Sequence, residues 1–431
     1  MAALVAAFFM LFGPFSLLNR IQNDSSSTLF ATEAKKAGLK ETLISKVAAA
    51  FLHEACNYAN GSVFEWDDFY RVPQGTFNAP AGALLKVQQA VDTSTYTLPP
   101  TTMLSRIMYQ SKTLNGSLVP ASAYVLWPYK PRTPDYPVVG FAHGGSGIEG
   151  SCAPSNFKSL WQHFEAPFTM SLQGYVVVAP DYAGLGVSAD SAARRISHAF
   201  LASPSHAHDL FYAIEAAHPV DGYLGAVAAA PVTRFLEAPV HANPLLAILI
   251  VWLTPAVSAI FLDFDPAAVL TSTAIRRSAI LSHHSGCNAP SFLLLYGVEL
   301  LRAGWARNPH LRAYQVLTAT GGKPVAGPLL VLQGEADPVM LESVTARAVN
   351  TTCDHFPNSR FEYVTYAGVS HDPVLFAAQP RWLAWIADRF DAKPVAPGCR
   401  SERVVAGTPE GIFQKELNWL IKDPTEAYQL V

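Results

Sequence analysis

Residues 175–180 form an apolar run, Tyr-Val-Val-Val-Ala-Pro, without polar alternation. That pattern belongs to a strand covered by helices on both faces, and the loop at the carboxyl end of such a strand is where sites are usually built. The loop here opens with Asp181-Tyr182-Ala183-Gly184-Leu185-Gly186. In 205–217, Leu210, Ile214 and Ala217 recur at helical spacing with Ala213 beside them. Ser205 stands where an N-cap side chain would satisfy the first free amides. A short link over 219–223 then leads to a second strand over 224–230.

The flanking chain predicts the rest of the sheet. Residues 32–52 are helical in pattern, and 62–100 are irregular, interrupted by Pro73, Pro80, Pro99 and Pro100. Strands over 105–111 and 121–127 bracket an Asn115-Gly116 hairpin turn, and 138–142 reads as the next strand. After Pro231 the strand–helix alternation stops, and Pro-interrupted helices form a cap over 234–327. Within it, 245–262 is apolar enough to suggest a membrane span, but Pro255 should break it, so a buried cap helix is expected. Alternation resumes with a strand over 328–332, a helix near 342–349, a strand over 361–366 and a helix over 380–390. An amphipathic tail over 413–421 is expected to dock on the body. These elements predict an α/β fold: a mostly parallel, doubly wound sheet with a helical cap.

Composition narrows the setting. A chain of 431 residues accommodates one large domain, 21–431, with an insertion. Charged residues are 15% and hydrophobic ones 50%, which leaves much apolar surface to bury or to offer to a lipid. A net charge of -3 and the lack of a long Lys/Arg run argue against nucleic-acid binding. No HExxH or paired CxxC occurs, and His206 and His208 at i, i+2 point to different helix faces, so no metal is expected. Gly145-Ser146-Gly147-Ile148-Glu149-Gly150 matches a dinucleotide fingerprint. Cys152 and Pro154 follow where a helix should open, so no cofactor is expected either. Residues 2–18 are almost wholly apolar and precede Asn19-Arg20, so 1–20 reads as a secretory signal peptide or an uncleaved anchor. Sequons at Asn23, Asn60, Asn115 and Asn350 fit passage through a glycosylating pathway, although such tripeptides also arise by chance. Cys152, Cys287, Cys353 and Cys399 sit in loop-like contexts suited to disulfides, while Cys56, in a helical pattern, reads as unpaired and buried. A secreted, extracellular protein is the expectation.

Two strand-end loops carry chemistry. After the strand over 328–332 comes Gly334-Glu335-Ala336-Asp337, and after the strand over 361–366 comes Gly368-Val369-Ser370-His371. An acid after one strand and a histidine after the next is the second half of the order Ser, Asp, His used by α/β-hydrolases. His143-Gly144-Gly145-Ser146-Gly147, after the strand over 138–142, suits a loop whose backbone amides hold an oxyanion. Further stretches join these: Phe69-Tyr70-Arg71-Val72-Pro73, Val119-Pro120-Ala121-Ser122-Ala123, Cys152-Ala153-Pro154-Ser155 and the loop from Asp181. From about residue 69 to 399 the chain resembles the fungal secretory lipases, the lipase A type of α/β-hydrolase. The resemblance implies a serine carboxylic-ester hydrolase of the triacylglycerol lipase or esterase kind, active in lipid breakdown, with Asp337 as triad acid and His371 as base. It also implies Gly144, Gly145 and Ser146 at the oxyanion hole, disulfides Cys152–Cys287 and Cys353–Cys399, and a cap that would meet a lipid interface.

One departure from that family is severe. Its pattern places, after the helix matching 205–217, a strand ending in G-x-S-x-G and a further helix before the strand matching 223–230. This chain has only Pro219-Val220-Asp221 there, and no G-x-S-x-G occurs anywhere in it. One central strand–helix unit, roughly 25 to 35 residues at average element lengths, is therefore missing together with the nucleophile. A clean excision inside a short loop suits a splice variant or a mis-drawn gene; the alternative is a non-catalytic, hydrolase-like binding protein.

Overall fold

The computed structural model describes residues 25–59, 67–76, 78–218, 222–237 and 244–407. The N-terminal apolar segment, Asn23, Asn60, Pro219 to Asp221 and the amphipathic tail lie outside these residues.

The chain enters through α1 (Ser25–Lys36) and α2 (Glu41–Cys56). They are two helices where one was expected, because Gly38 takes a φ of 76° and the Leu39 amide turns back to the Ala34 carbonyl. Cys56 is free and exposed rather than buried. The buried face of α2 runs through Ile44, Val47, Ala50 and Glu54, and a residue two places beyond Glu54 points off that stripe.

Among the described residues, nine strands follow in two sheets. The first comprises β1 (Leu84–Gln88), β2 (Thr102–Lys112), β3 (Leu118–Pro128), β4 (Val138–Gly140) and β5 (Val176–Pro180), in the order β1-β2-β3-β5-β4. The β2–β3 hairpin turns where expected: Gly116 has a φ of 83°, and the Asn115 side chain accepts from the Ser117 amide at 3.2 Å. The second comprises β6 (Ala226–Ala229), β7 (Leu329–Gly334), β8 (Arg360–Tyr366) and β9 (Gly398–Val404), all parallel and in sequence order. β1 lies inside the stretch expected to be irregular, and β9, Gly-Cys-Arg-Ser-Glu-Arg-Val, lacks the apolar pattern that identifies a strand.

Helices cover both faces. α3 (Pro167–Leu172), α10 (Pro373–Ala377) and α11 (Gln379–Phe390) lie on one. A single core joins Phe168, Trp382 and Trp385 from that face to Val177 and Ala179 of the first sheet and Leu330 and Leu332 of the second. On the other face α4 (Ser203–Ala217) sits over the first sheet, burying Ala213 and Ile214 against Val176 and Val178, and α9 (Glu342–His355) sits over the second, with Val349 against Val331. Ser205 is not an N-cap. The helix begins two residues earlier, with Pro204 preorganising its first turn and Ala202 at the cap without a side-chain bond.

Between β6 and β7 run α5 (Pro244–Ile260), α6 (Ser272–His283), α7 (Asn288–Leu295) and α8 (Pro309–Thr318), which share a core with α1 and α2. Pro255 does not break α5. Its missing N–H would have served the Val251 carbonyl, and the Thr254 hydroxyl donates there instead at 2.8 Å. No helix among the described residues is long and apolar enough to cross a membrane. Disulfides join Cys152 to Cys287 and Cys353 to Cys399, the first tying the loop beyond β4 to the start of α7, the second tying α9 to β9.

Candidate active site

Asp337 follows β7 and His371 follows β8, and their meeting depends on a glycine. A Cβ on Gly334 would lie 2.4 Å from the Val369 carbonyl oxygen and 2.6 Å from that of Ser370, so only glycine lets the two loops close up. Backbone bonds from Glu335 to Tyr366 and from Ala336 to Val369 then fasten them together. His371 Nδ1 donates to Asp337 Oδ2 at 2.8 Å. The other carboxylate oxygen accepts the Val339 and Met340 amides, both at 2.8 Å, and Gln333 Nε2 supports Oδ2 at 3.1 Å. Gln333 is held in turn by the Thr345 hydroxyl. Asp337 is buried, so its ring partner faces a fixed, dry acceptor. Burial opposes a charged His371, but the hydrogen bond and the charge of Asp337 outweigh it and raise the imidazole above its usual value. With Nδ1 committed, Nε2 is the nitrogen left to the cavity that His371 lines. Among the described residues, no Ser, Thr or Cys side chain hydrogen-bonds to it.

The loop after β4 lines the same cavity. The Gly144 amide is taken by Gln162 Oε1 at 2.7 Å. Gln162 reaches it from a strained turn in which Leu160, Trp161 and Gln162 all have positive φ, at 56°, 36° and 54°. Gly145 packs against Phe200 and Trp252, and the Ser146 hydroxyl is buried without a protein partner. His143 stacks on Tyr182 at 4.3 Å, and Tyr182 stacks on His206 at 4.2 Å. Burial drives both imidazoles down, His143 to about 4, so both are neutral at ordinary pH. Three residues beyond Gln162, burial and then Asp372 push the Glu165 carboxyl up to about 8. Sequence reasoning did not reach Gln162 or Glu165, because neither follows a strand or falls in a recognisable spacing. Asp181 opens the loop after β5 but is structural: buried, it accepts from the Ser122 and Ser155 hydroxyls and the Ser155 amide.

The cavity, open to solvent, has a volume of about 1800 Å³, well above the roughly 300–1,000 Å³ of ordinary ligand pockets. It is large because it continues between the two sheets. Its walls include Val138 to Ala142 on one side and Leu224 to Val227 with Ala229 and Ala230 on the other. Among the described residues, neither β4 nor β6 has a second strand partner. No metal-binding group of His, Cys, Asp or Glu occurs among the described residues. Asn115 and Asn350 are exposed.

Two sheets layered between helices, the second wholly parallel, with an acid and a histidine ending adjacent strands of it, form an α/β-hydrolase fold. Comparison with protein-family models finds no match, and comparison with curated protein sequences finds none either. By structure the chain is similar to Candida antarctica lipase A in its closed state, with a TM-score of 0.61 and 13% identity over 80% of this chain and 90% of that one. It is also similar to the rice cell wall degrading esterase LipA from Xanthomonas oryzae, with a TM-score of 0.51 and 14% identity over 73% of this chain and 100% of that one. A putative hydrolase from Legionella pneumophila aligns at a TM-score of 0.51 and 14% identity over 72% of this chain and 97% of that one. At such identities the likeness is one of fold.

Proposed function

We propose that this protein descends from secreted serine carboxylic-ester hydrolases of the triacylglycerol lipase or esterase type and carries their acid, Asp337, and base, His371, without their nucleophile. The observation that carries the reading is the 2.8 Å His371–Asp337 bond at the wall of a cavity that splits the sheet between β4 and β6. A strand ending in a sharp turn at that place would bring a serine toward His371 Nε2. The base would take the hydroxyl proton as Oγ adds to the ester carbonyl, then return it to the departing alcohol, leaving an acyl-serine for water to cleave. Gly144, Gly145 and Ser146 would flank the oxyanion from one side, and the amide after the serine would complete it. Two disulfides support an extracellular setting. The helices over 234–327 are read as the cap that meets a lipid ester.

As written, the chain should not turn over. Losing one oxyanion donor costs about 3 kcal/mol in the transition state, and losing the nucleophile costs on the order of a millionfold in rate. The test compares this chain with a version bearing a family-type strand, G-x-S-x-G turn and helix between Pro219 and Val220. Both are assayed on a short-chain ester and with a fluorophosphonate label. Turnover and single-site labelling are expected only in the extended version; labelling of one serine in the chain as written would refute the reading.

A further inference from the structure

We infer that the slot between β4 and β6 is a receptor for one extended strand of another polypeptide, apolar on both faces and running parallel to β4. The inference rests on the reading that a central strand is absent, and it concerns what the chain as written can bind.

The backbone makes the case. In the β4–β5 ladder the Phe141 amide donates to Val178 and the Pro137 carbonyl accepts from Val176. Odd-numbered residues of β4 therefore face β5, and the N–H and C=O of Val138 and Gly140 face the slot. In the β6–β7 ladder the amides of Ala226 and Ala230 donate to Pro328 and Leu332. Even-numbered residues there face β7, so Val227 and Ala229 present their N–H and C=O to the slot from the other side. Two rows of backbone donors and acceptors thus face one cavity. An alkyl chain would leave them unpaired, whereas one strand bonds to both rows and removes the open edges. The loops after β4, β7 and β8 all line that cavity. β4 and β6 therefore run the same way, and a guest parallel to one is parallel to both.

The walls set the guest's side chains. On the α4 side are Leu210 and Ile214, so close to Gly140 that a Cβ there would lie 2.8 and 2.7 Å from them. On the α11 side are Trp382, Trp385 and Phe390. A strand between two apolar layers reads as an unbroken apolar run, and the crowding at Gly140 requires small residues toward α4. Several polar atoms on the walls also lack protein partners: Trp161 Nε1, His206 Nε2 and Arg389 Nε.

The probe is a fluorescent peptide of alternating Val and Ala, capped at each end by lysines for solubility. Its comparator is the same sequence N-methylated on alternate residues, which removes the donors along one edge. Saturable anisotropy is expected, with slowed hydrogen exchange in both 138–142 and 226–230, and affinity at least tenfold weaker for the methylated peptide. Absence of saturable binding, equal binding of the methylated peptide, or protection of both segments that grows with protein concentration alone would each overturn the inference; the last would mean that a second copy fills the slot. The extended version, with its own strand in place, should not bind the peptide. If it hydrolyses esters while the chain as written ignores the peptide, the hydrolase reading stands and this inference fails. If it stays inactive while the peptide binds both edges, the reverse holds.

Discussion

Replacing Gly334 by alanine tests what holds Asp337 and His371 together. Gly334 is not among the positive-φ glycines, so alanine meets no backbone penalty, and the effect must come from contact alone. Its Cβ would lie 2.4 Å from the Val369 oxygen, where ordinary contact begins near 3.4 Å, so the histidine loop must retreat by roughly 1 Å. Carried to the ring, that movement stretches the 2.8 Å His371–Asp337 bond beyond hydrogen-bond length. Overpacking of this kind costs roughly 1–3 kcal/mol, a range that overlaps the loss of one charge-assisted hydrogen bond. Burial pulls the His371 pKa down, while the hydrogen bond to Asp337 and then the charges of Asp337 and Asp372 raise it; losing the bond removes the first of the raising contributions and leaves the two charges. Nitrogen NMR titration of the ring should therefore show His371 above the usual 6.5 in the parent and shifted downward from that in Gly334→Ala. Asp337→Asn should give the same fall. If Gly334→Ala loses stability while the His371 titration does not move, the close approach at Gly334 is not what positions the histidine.

Two further outcomes follow from groups outside the site. Burial lifts the Glu54 carboxyl, which accepts the Cys287 and Ala289 amides, to about 7 from 4.5. Its folded pKa is thus above its unfolded one, so it stabilises the fold most below the unfolded value, and that contribution is lost as pH rises through about 7. Glu54→Gln should flatten the fall in urea midpoint between about pH 5 and about pH 8, and an unchanged slope would assign the pH dependence elsewhere. Replacing Cys152 and Cys287 together by serine opens a buried link across 135 residues and should cost about 2–4 kcal/mol in chemical denaturation; an unaltered midpoint under oxidising conditions would show that the bond does not constrain the fold.

What could be read in the sequence followed from how strongly burial dictates each segment. Val176 to Ala179 and Leu330 to Leu332 are buried on both faces, so their apolar runs announced strands. β9 is an edge strand whose residues are mostly exposed, and nothing in Arg-Ser-Glu-Arg is required to be apolar. What holds it is the ladder to β8, the Cys353–Cys399 disulfide and the Arg403–Glu335 pair, all contacts with distant residues. Pro255 is accommodated inside a helix because a hydroxyl one residue earlier takes over the Val251 carbonyl, a remedy that a proline by itself does not signal. The candidate acid and base were legible because strand-end loops are fixed by chain order. Gln162 was not, because it reaches the Gly144 amide through a strained turn that no residue pattern encodes.

The same distinction explains how the candidate acid and base keep their geometry beside a gap. Asp337 and His371 belong to neighbouring strands of one ladder, and the bonds that orient them, from Gln333, Val339, Met340 and the Val369 carbonyl, lie within the β7–β8 unit. Their geometry does not depend on what stands between β4 and β6. The Gly144 amide belongs to the other sheet, and the chief tie between the sheets is the core under α3 and α11. An amide needs a partner wherever it is held, and here Gln162 supplies one. A substrate carbonyl would have to displace that oxygen to reach the amide. The turnover expected on restoring the central strand therefore includes that exchange at the Gly144 amide.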